Sequence, residues 1–244
     1  MASRRDWFPT MIWRWLTCSS VLCALLSGAN LAGRIELRDS QDPVVRKKQD
    51  YSGVVVWLEP LDKAALKPSP IRAKILQKDK TFQPHVLTIP VGSTVDFPNL
   101  DPVFHNAFSN YDGQVFDVGL YPPGGTRSVR FARPGIVRIF CNIHSSMTAI
   151  VAVVDSPWFD TTKADGKFEL RDVPPGEYQL KIFHERATKG ALNAAQRQVL
   201  MSAQPQTLPA ITVSETGYLP IPHKDKYGRD YKGVPEDSYP GVKK

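Results

Sequence analysis

Short runs in which apolar and polar residues alternate, each closed by glycine or proline, recur along the chain after Ser52. A period of two places the apolar side chains on one face of an extended strand, and β-branched residues favour that conformation. These runs are "GVVVWLEP", "AKILQ", "HVLTIPVGSTVDFPN", "TRSVRFARPGIVRIF" and "AIVAVV". The pattern predicts an all-β protein with short strands at the spacing of a β-sandwich. The one stretch with helical propensity is "ATKGALNAAQRQ", and we expect Gly190 to break it.

A second strand-rich block follows Val154. Within it, Asp165-Gly166 is a hairpin-turn dipeptide, and Pro174-Pro175-Gly176 predicts another turn before the strand "EYQLKIF". The run "QTLPAITVSE" could close a small sheet. Beyond Glu215 the chain is rich in Pro, Gly, Lys and Tyr without periodicity, which predicts an irregular tail that could drape over the domain through its tyrosines. We expect the lysines of this tail to be solvated.

The amino-terminal segment has the layout of a secretory signal peptide. Two arginines at positions 4 and 5 precede an apolar run, and small residues follow at Ser27 and Ala29. The uninterrupted apolar core is about 13 residues, short for a membrane span of roughly 20. We therefore expect cleavage near Ala29, a periplasmic or secreted location and no membrane span afterwards. An uncleaved anchor that starts at Met11 and tolerates Arg14 is the alternative, and "SRRDWF" also resembles a twin-arginine export signal.

Loss of residues 1–29 changes the cysteine content and the charge. Cys18 and Cys23 would be removed, so that Cys141 alone remains and no intramolecular disulfide can form. A single cysteine in an oxidising compartment is either buried and inert or held by a metal. The formal net charge would fall from +7 to about +5, because three arginines and one aspartate are lost. This excess favours an acidic partner, and we find no nucleic-acid motif.

The loop "CNIHSSM" places Cys141, His144 and Met147 at three-residue intervals between two strand-like runs. Upstream, His105 lies at a strand-to-loop transition. One thiolate, two imidazoles and a weak thioether form the ligand set of a type 1 (blue) copper site. Asn106, next to His105, is expected to support the site by a hydrogen bond to the backbone or the thiolate.

Other metals and simpler explanations fit this group less well. Taken singly, a cysteine, a histidine or a methionine in a β-protein is more often ordinary core or surface. A structural zinc site usually has four Cys or His ligands, and methionine is a poor zinc ligand. A multicopper centre needs many histidines, and the chain has five, without a His-x-His pair.

The run "FQPHVLTIPVGSTVDFPNLDPVFHN" followed by "GIVRIFCNIHSSM" resembles the cupredoxin family. The Cys-x-x-His-x-x-Met spacing is similar to that of amicyanin-like electron carriers, a relationship that covers roughly residues 71–155. Carried over, the resemblance implies a Greek-key β-sandwich and one type 1 copper site. Its ligands would be His105, Cys141, His144 and Met147, supported by Asn106. Separately, "DGKFELRDVPPGEYQLKIFH" resembles the transthyretin-like, carboxypeptidase-regulatory β module. The whole arrangement resembles proteins labelled "methylamine utilization protein".

The predicted organisation has five parts: a signal peptide (1–29), N-terminal strands (34–66), a cupredoxin domain (67–155), a transthyretin-like β module (156–213) and an irregular basic tail (214–244). The run "AKILQ" serves as the first cupredoxin strand. The two runs before it could pair with the C-terminal module, which would make the cupredoxin domain an insertion. Two domains in series with an N-terminal extension are the alternative.

These features predict an exported one-electron carrier that transforms no substrate itself and exchanges electrons with an acidic redox protein. The alternatives are a copper-binding or delivery protein without redox partners, and a protein that binds a cell-envelope partner. We expect His105 to be deeper than His144, and a docking patch formed by Pro102, Val103 and Ile143. The remaining histidines have simpler expected roles: solvent exposure for His85, packing for His184, and an ordinary tail position for His223.

Overall fold

The computed structural model describes residues 28–62, 67–110, 113–219 and 222–231. The predicted signal peptide lies outside these residues, apart from Gly28 and Ala29, and Ala29 begins the first strand. Neither helix in the described part of the chain has the length and apolar character that crossing a bilayer requires.

The described residues form strands almost throughout, with two short helices, so the all-β prediction is confirmed. In chain order the elements are β1 (Ala29–Arg38), α1 (Pro43–Lys48), β2 (Val55–Pro60), β3 (Arg72–Lys74), β4 (Leu76–Lys78), β5 (Thr81–Gln83), β6 (Val86–Pro90), β7 (Thr94–Pro98), β8 (Phe108–Ser109), β9 (Phe116–Asp117), β10 (Thr126–Arg130), β11 (Gly135–Phe140), β12 (Thr148–Val154), β13 (Phe159–Thr161), β14 (Lys167–Val173), β15 (Gly176–Phe183), α2 (Lys189–Ala195), β16 (Arg197–Met201), β17 (Gln206–Thr207) and β18 (Ile211–Ser214).

The first sandwich packs a five-stranded sheet, in the order β6-β12-β11-β8-β9, against the three-stranded sheet β10-β7-β3. Its second strand, β12, pairs with β6 on one side and with β11 on the other, and six of its seven residues are buried. The core between the sheets includes Phe97, Phe131, Ile139 and Val151. Cys141 and Met147 belong to the same core.

The second sandwich packs a sheet of β14, β1, β17 and β18 against the sheet β13-β2-β15-β16. Its core includes Leu31, Leu58, Leu170 and Leu180, one residue from each of four strands. Both N-terminal strands therefore pair with strands that follow residue 156. The chain leaves this sandwich after β2 and returns to it with β13. The residue boundaries given above for the domains, and the transthyretin-like character of this sandwich, stay predictions.

The expectation that Gly190 breaks the helix is wrong, because α2 spans Lys189–Ala195 and contains this glycine in its first turn. The side chain of Thr188 accepts a hydrogen bond from the Ala191 N–H and so caps the helix. A glycine costs least at a helix end, where the backbone is held by the cap. The other helix, α1, was not predicted.

The turn at Asp165-Gly166 is present, but it does not form a hairpin. The strands before and after it, β13 and β14, lie in different sheets. Gly166 has φ of 75°, and its carbonyl accepts a 2.8 Å hydrogen bond from the Ile35 N–H of β1. This contact directs β14 to β1 instead of β13, so the turn joins the two layers of the second sandwich.

Substitution of Gly166 by alanine should therefore be costly. A Cβ there would lie 2.1 Å from the Ile35 carbonyl oxygen, in addition to the strain of a positive φ. We expect Gly166→Ala to lower the free energy of unfolding by about 3 kcal/mol or more in urea denaturation.

Gly124→Ala is the matched control, because Gly124 has φ of 74° and open space around its Cβ position. This variant should lose only about 1 kcal/mol. Equal losses in the two variants would show that the close approach to β1 does not matter.

A buried ionic group joins three chain segments of the second sandwich. Glu215, after β18, lies 2.8 Å from His184 Nε2 and accepts hydrogen bonds from Arg186 Nε at 3.1 Å and from the Ser40 hydroxyl at 2.6 Å. Burial would raise the pKa of Glu215, but these hydrogen bonds and the Arg186 charge together lower it to about 2. The expectation that His184 serves only for packing is therefore wrong.

His85 contacts both sandwiches. Its Nε2 lies 2.8 Å from a Glu185 carboxylate oxygen, and its Nδ1 lies 3.0 Å from the Thr148 carbonyl oxygen. The side chain is 44% exposed. His85 therefore faces solvent, as expected, and also contacts the Glu185 carboxylate.

The low pKa of Glu215 predicts an acid-sensitive component of stability. The folded-state pKa is about 2 against 4.5 for the unmodified group. The contribution is therefore complete above pH 4.5 and is lost as the pH falls towards 2. For this buried carboxylate it amounts to roughly 2 to 3 kcal/mol.

Urea denaturation at several pH values measures this component. We expect Glu215→Gln to flatten the decline in unfolding free energy between pH 5 and pH 2. The control Glu177→Gln, at an exposed position of β15, should keep the wild-type slope. An unchanged slope in Glu215→Gln would contradict the assignment.

Candidate metal centre

The candidate ligand loop, residues 141–147, connects two paired strands. β11 and β12 are antiparallel, and Phe140 lies opposite Thr148 at the end where the loop connects them. Across the loop, the Cys141 N–H donates to the Met147 carbonyl at 3.2 Å, and the Met147 N–H donates to the His144 carbonyl at 3.1 Å. These two hydrogen bonds close the loop, so the three predicted ligands of "CNIHSSM" are held near one another.

His105 reaches the same place from a neighbouring segment. It forms an isolated antiparallel bridge with Tyr121, in which the two backbones exchange hydrogen bonds of 3.2 and 2.9 Å. Three residues later, β8 pairs with β11 through Phe108 and Phe140. His105 is therefore fully buried at the end of β11, beside Cys141.

Three donor atoms converge at this point. Cys141 Sγ lies 3.5 Å from His144 Nδ1 and 4.0 Å from His105 Nδ1, and the ligand atoms of the three residues lie within 4.8 Å of one another. Metal–nitrogen and metal–sulfur bonds of about 2.1 and 2.3 Å at trigonal angles would separate such donors by about 3.8 Å. The donor set and its spacing thus fit one metal ion.

An aspartate that sequence reasoning missed orients His105. Asp101 Oδ2 lies 2.7 Å from His105 Nε2, which leaves Nδ1 as the ring nitrogen near the thiol. The Asp101 carboxylate also accepts hydrogen bonds from the backbone N–H groups of Asp79 and Lys80 at 2.7 and 2.9 Å. In the sequence the available signal was the Asp-Pro-x-x-His spacing of "DPVFH". Such a carboxylate–histidine pair fixes the ring and raises its basicity as a ligand.

Burial controls the protonation of the two deepest donors. It lowers the pKa of His105, against the opposing effect of Asp101, and so favours the neutral imidazole that a metal needs. Burial also raises the pKa of the Cys141 thiol, against hydrogen bonds from three backbone N–H groups. These groups belong to Asn106, Ile143 and His144. They point at the sulfur and are placed to stabilise its thiolate form.

Asn106 contacts the thiol and β9 through different groups. Its backbone N–H bonds to the Cys141 sulfur, while its side-chain Nδ2 donates to Asp117 Oδ1 at 2.7 Å. Asp117 is also bound by the Gly119 N–H at 2.9 Å. The side chain therefore anchors the His105 segment to β9.

The remaining predicted ligands differ in depth. Met147 is fully buried in the core that contains Cys141, a setting suited to a weak apolar ligand. His144 is partly exposed while His105 is completely buried, which is the order of depth expected from the sequence. The two imidazole rings lie 4.8 Å apart between centroids.

The predicted docking residues are only in part available to a partner. Pro102 is exposed, but Val103 and Ile143 are partly buried, and Ile143 packs against the core. Larger exposed apolar side chains, which the sequence pattern did not reveal, lie on the two segments that the His105–Tyr121 bridge joins. They are Leu100, Phe104 and Leu120, with exposures of 56%, 49% and 53%.

The expectation that His223 is an ordinary tail residue is wrong. Its Nε2 lies 2.7 Å from the Ser145 carbonyl oxygen of the ligand loop. Tyr231, at the end of the described tail, donates its hydroxyl to the Cys141 carbonyl at 2.7 Å. Part of the tail is thus attached to the loop through a tyrosine.

Comparisons with known proteins find similarity to copper proteins over part of the chain. A purple cupredoxin from Nitrosopumilus maritimus is 28% identical and covers 34% of this chain and 99% of its own, with a TM-score of 0.31. A copper-containing nitrite reductase from Thermus scotoductus SA-01 is 25% identical and covers 49% of this chain and 28% of its own, with a TM-score of 0.32. Amicyanin from Paracoccus versutus is 17% identical and covers 40% of this chain and 97% of its own, with a TM-score of 0.32.

No protein-family model and no curated protein matches the sequence.

Proposed function

We propose that the chain is an exported one-electron carrier that binds one copper ion in a type 1 site. The observation that carries this proposal is the convergence of one cysteine sulfur and two histidine Nδ1 atoms, 3.5 and 4.0 Å from the sulfur. A buried methionine, Met147, is available from the same loop as a weak fourth ligand. One thiolate, two imidazoles and a thioether favour copper over zinc.

When bound, copper supplies a one-electron redox couple, and the protein residues determine how it is held. His105 is fixed on its far side by Asp101. Cys141 is held by the amide groups directed at its sulfur and by the hydrogen bond to Met147. Because these groups are positioned by paired strands, the site can keep one geometry in both oxidation states, which favours rapid electron transfer.

Exchange with a partner would occur at His144, the one histidine ligand with a partly exposed side chain. The exposed apolar residues Leu100, Phe104 and Leu120 can exclude water from a contact with a partner, which then needs no exact charge pairing. The net charge of about +5 after loss of residues 1–29 would steer an acidic redox protein towards the chain. Export rests on the amino-terminal sequence, and no substrate conversion is assigned.

Absorption and electron-paramagnetic-resonance spectra of the copper-loaded protein test the proposed function. We expect intense sulfur-to-copper charge-transfer absorption and narrow copper hyperfine splitting. Cys141→Ser should abolish this absorption, because the charge transfer originates on the thiolate, while leaving the metal-free fold largely intact. A strongly coloured Cys141→Ser protein would exclude Cys141 as the ligand.

Met147→Leu separates the role of the thioether from that of the other three ligands. An axial thioether bonds weakly, so this variant should retain copper and have a higher reduction potential. The potential can be measured by redox titration of the charge-transfer band. Complete loss of copper from a folded Met147→Leu protein would contradict a weak axial role.

The proposed contact surface consists of Leu100, Phe104 and Leu120. It can be tested by replacing one of its leucines with a neutral polar residue of similar size. We expect Leu120→Asn to slow electron exchange with an acidic redox protein by about tenfold, because an apolar contact is lost without a change in charge. Stopped-flow kinetics measures this rate, and ferricyanide, which needs no apolar docking, should react as with wild type.

Leu200→Asn is the control, because Leu200 is 71% exposed on β16 of the other sandwich. If both variants exchange electrons at the wild-type rate with every acidic protein tried, the apolar surface is not the docking site. Failure of the wild type to exchange electrons with any protein would favour a role in copper binding or delivery.

A further inference from the structure

Residues 222–231, named here the clamp segment, contact the backbone of the ligand loop. Two backbone carbonyls of the ligand loop accept hydrogen bonds from this segment. The Tyr231 hydroxyl donates to Cys141 O, and His223 Nε2 donates to Ser145 O, both at 2.7 Å. These carbonyls flank the candidate ligand His144, so the clamp segment holds the loop on both sides of it.

A third residue of the clamp segment binds the loop and the His105 segment together. The Lys226 N–H donates to Asn142 Oδ1 at 3.0 Å, and its Nζ lies 2.7 Å from Asp117 Oδ2. Asp117 in turn accepts the side-chain hydrogen bond of Asn106. Through Lys226 the clamp segment therefore reaches both parts of the chain that supply candidate ligands.

Ring contacts add apolar area to these polar contacts. The His223 ring stacks on Phe140, the last residue of β11, with centroids 4.2 Å apart and an interplanar angle of 28°. Tyr231 packs edge-on against His223 at 5.1 Å. The stack holds the side chains of the clamp segment directly over the point where the ligand loop begins.

The clamp segment also has a structure of its own. Asp225 Oδ1 accepts hydrogen bonds from the Tyr227 and Arg229 N–H groups, each at 2.9 Å, and the Asp225 N–H donates to the Arg229 carbonyl at 2.9 Å. This turn brings His223 and Tyr231 to the same side of the loop. A preformed turn loses less conformational entropy on binding than an extended chain would.

We propose that the clamp segment is an intramolecular clamp that holds the ligand loop in its metal-binding geometry and slows its opening. Two backbone hydrogen bonds lie within the loop. Much of its resistance to opening therefore depends on contacts with other segments of the chain. Local opening is governed by such contacts. A metal held by Cys141 and His144 can leave only when the loop opens, so the clamp also slows metal release. This second consequence rests on the proposed copper site, whereas the effect on the loop does not.

Hydrogen–deuterium exchange of the full-length, metal-free protein tests the clamp directly. Tyr231→Phe removes the hydroxyl that binds Cys141 O and leaves the ring. We expect amide exchange in residues 141–147 to become about fivefold faster, the effect of losing one hydrogen bond. His223→Ala and Lys226→Gln should each accelerate exchange in the same residues. The control is Tyr178→Phe, the same change at a hydroxyl that donates to the Pro174 carbonyl in the second sandwich.

The clamp is overturned if Tyr231→Phe, His223→Ala and Lys226→Gln all leave exchange in the loop unchanged, or if Tyr178→Phe accelerates it equally. Thermal unfolding shows whether a variant has lost its fold. An unfolded variant would speed exchange in β2 and β15 as well, so acceleration confined to the loop is the supporting result.

Copper transfer to an excess of chelator tests the consequence for the metal. We expect Tyr231→Phe to release copper several-fold faster than wild type and Tyr178→Phe to match wild type. Faster amide exchange with unchanged copper release would overturn the role in metal retention. If the wild type binds no copper, the proposed function fails, and the exchange measurement still decides whether the clamp exists.

Discussion

The candidate metal centre depends on the pairing of β11 with two different neighbours. β12 follows β11 in the chain and pairs along its whole length, whereas β8 pairs with it only at its end, through Phe108 and Phe140. Both neighbours pair with Phe140, the last residue of β11. The ligand loop and the segment that carries His105 therefore leave the sheet at the same end of its strands. A slip of one residue in either register would reverse the faces of the side chains and separate Cys141 from His105.

The polar donors lie inside an apolar core, and the surrounding groups explain how they are tolerated there. A buried imidazole or thiol is costly unless its hydrogen-bonding groups are satisfied. Asp101 occupies the far nitrogen of His105, and backbone amides point at the Cys141 sulfur. The same contacts that reduce the cost of burial also fix which atoms face the candidate metal position. Structural support and ligand orientation therefore come from one set of hydrogen bonds.

The two ends of the described chain are used in different ways. The N-terminal strands complete the second sandwich by pairing with strands that follow residue 156. The clamp segment instead contacts the first sandwich, where it supplies donors to two carbonyls of the ligand loop. The Tyr231 hydroxyl contacts a residue 90 positions earlier, and His223 one 78 positions earlier. The described part of a tail without periodicity is thus held against the ligand loop by these contacts.

Local features were predictable from the sequence by itself. Alternation of apolar residues predicted the strands, and the spacing of "CNIHSSM" placed Cys141, His144 and Met147 in one loop, because residues so close in the chain remain close in any hairpin. The orientation of His105 by Asp101, the helix that includes Gly190 and the place of the clamp segment were decided by the tertiary structure. The first two join residues four and three positions apart, but they form only in the backbone conformation that the fold imposes. The clamp segment meets a loop that lies 78 to 90 positions earlier, and local residue patterns do not encode which distant segments meet.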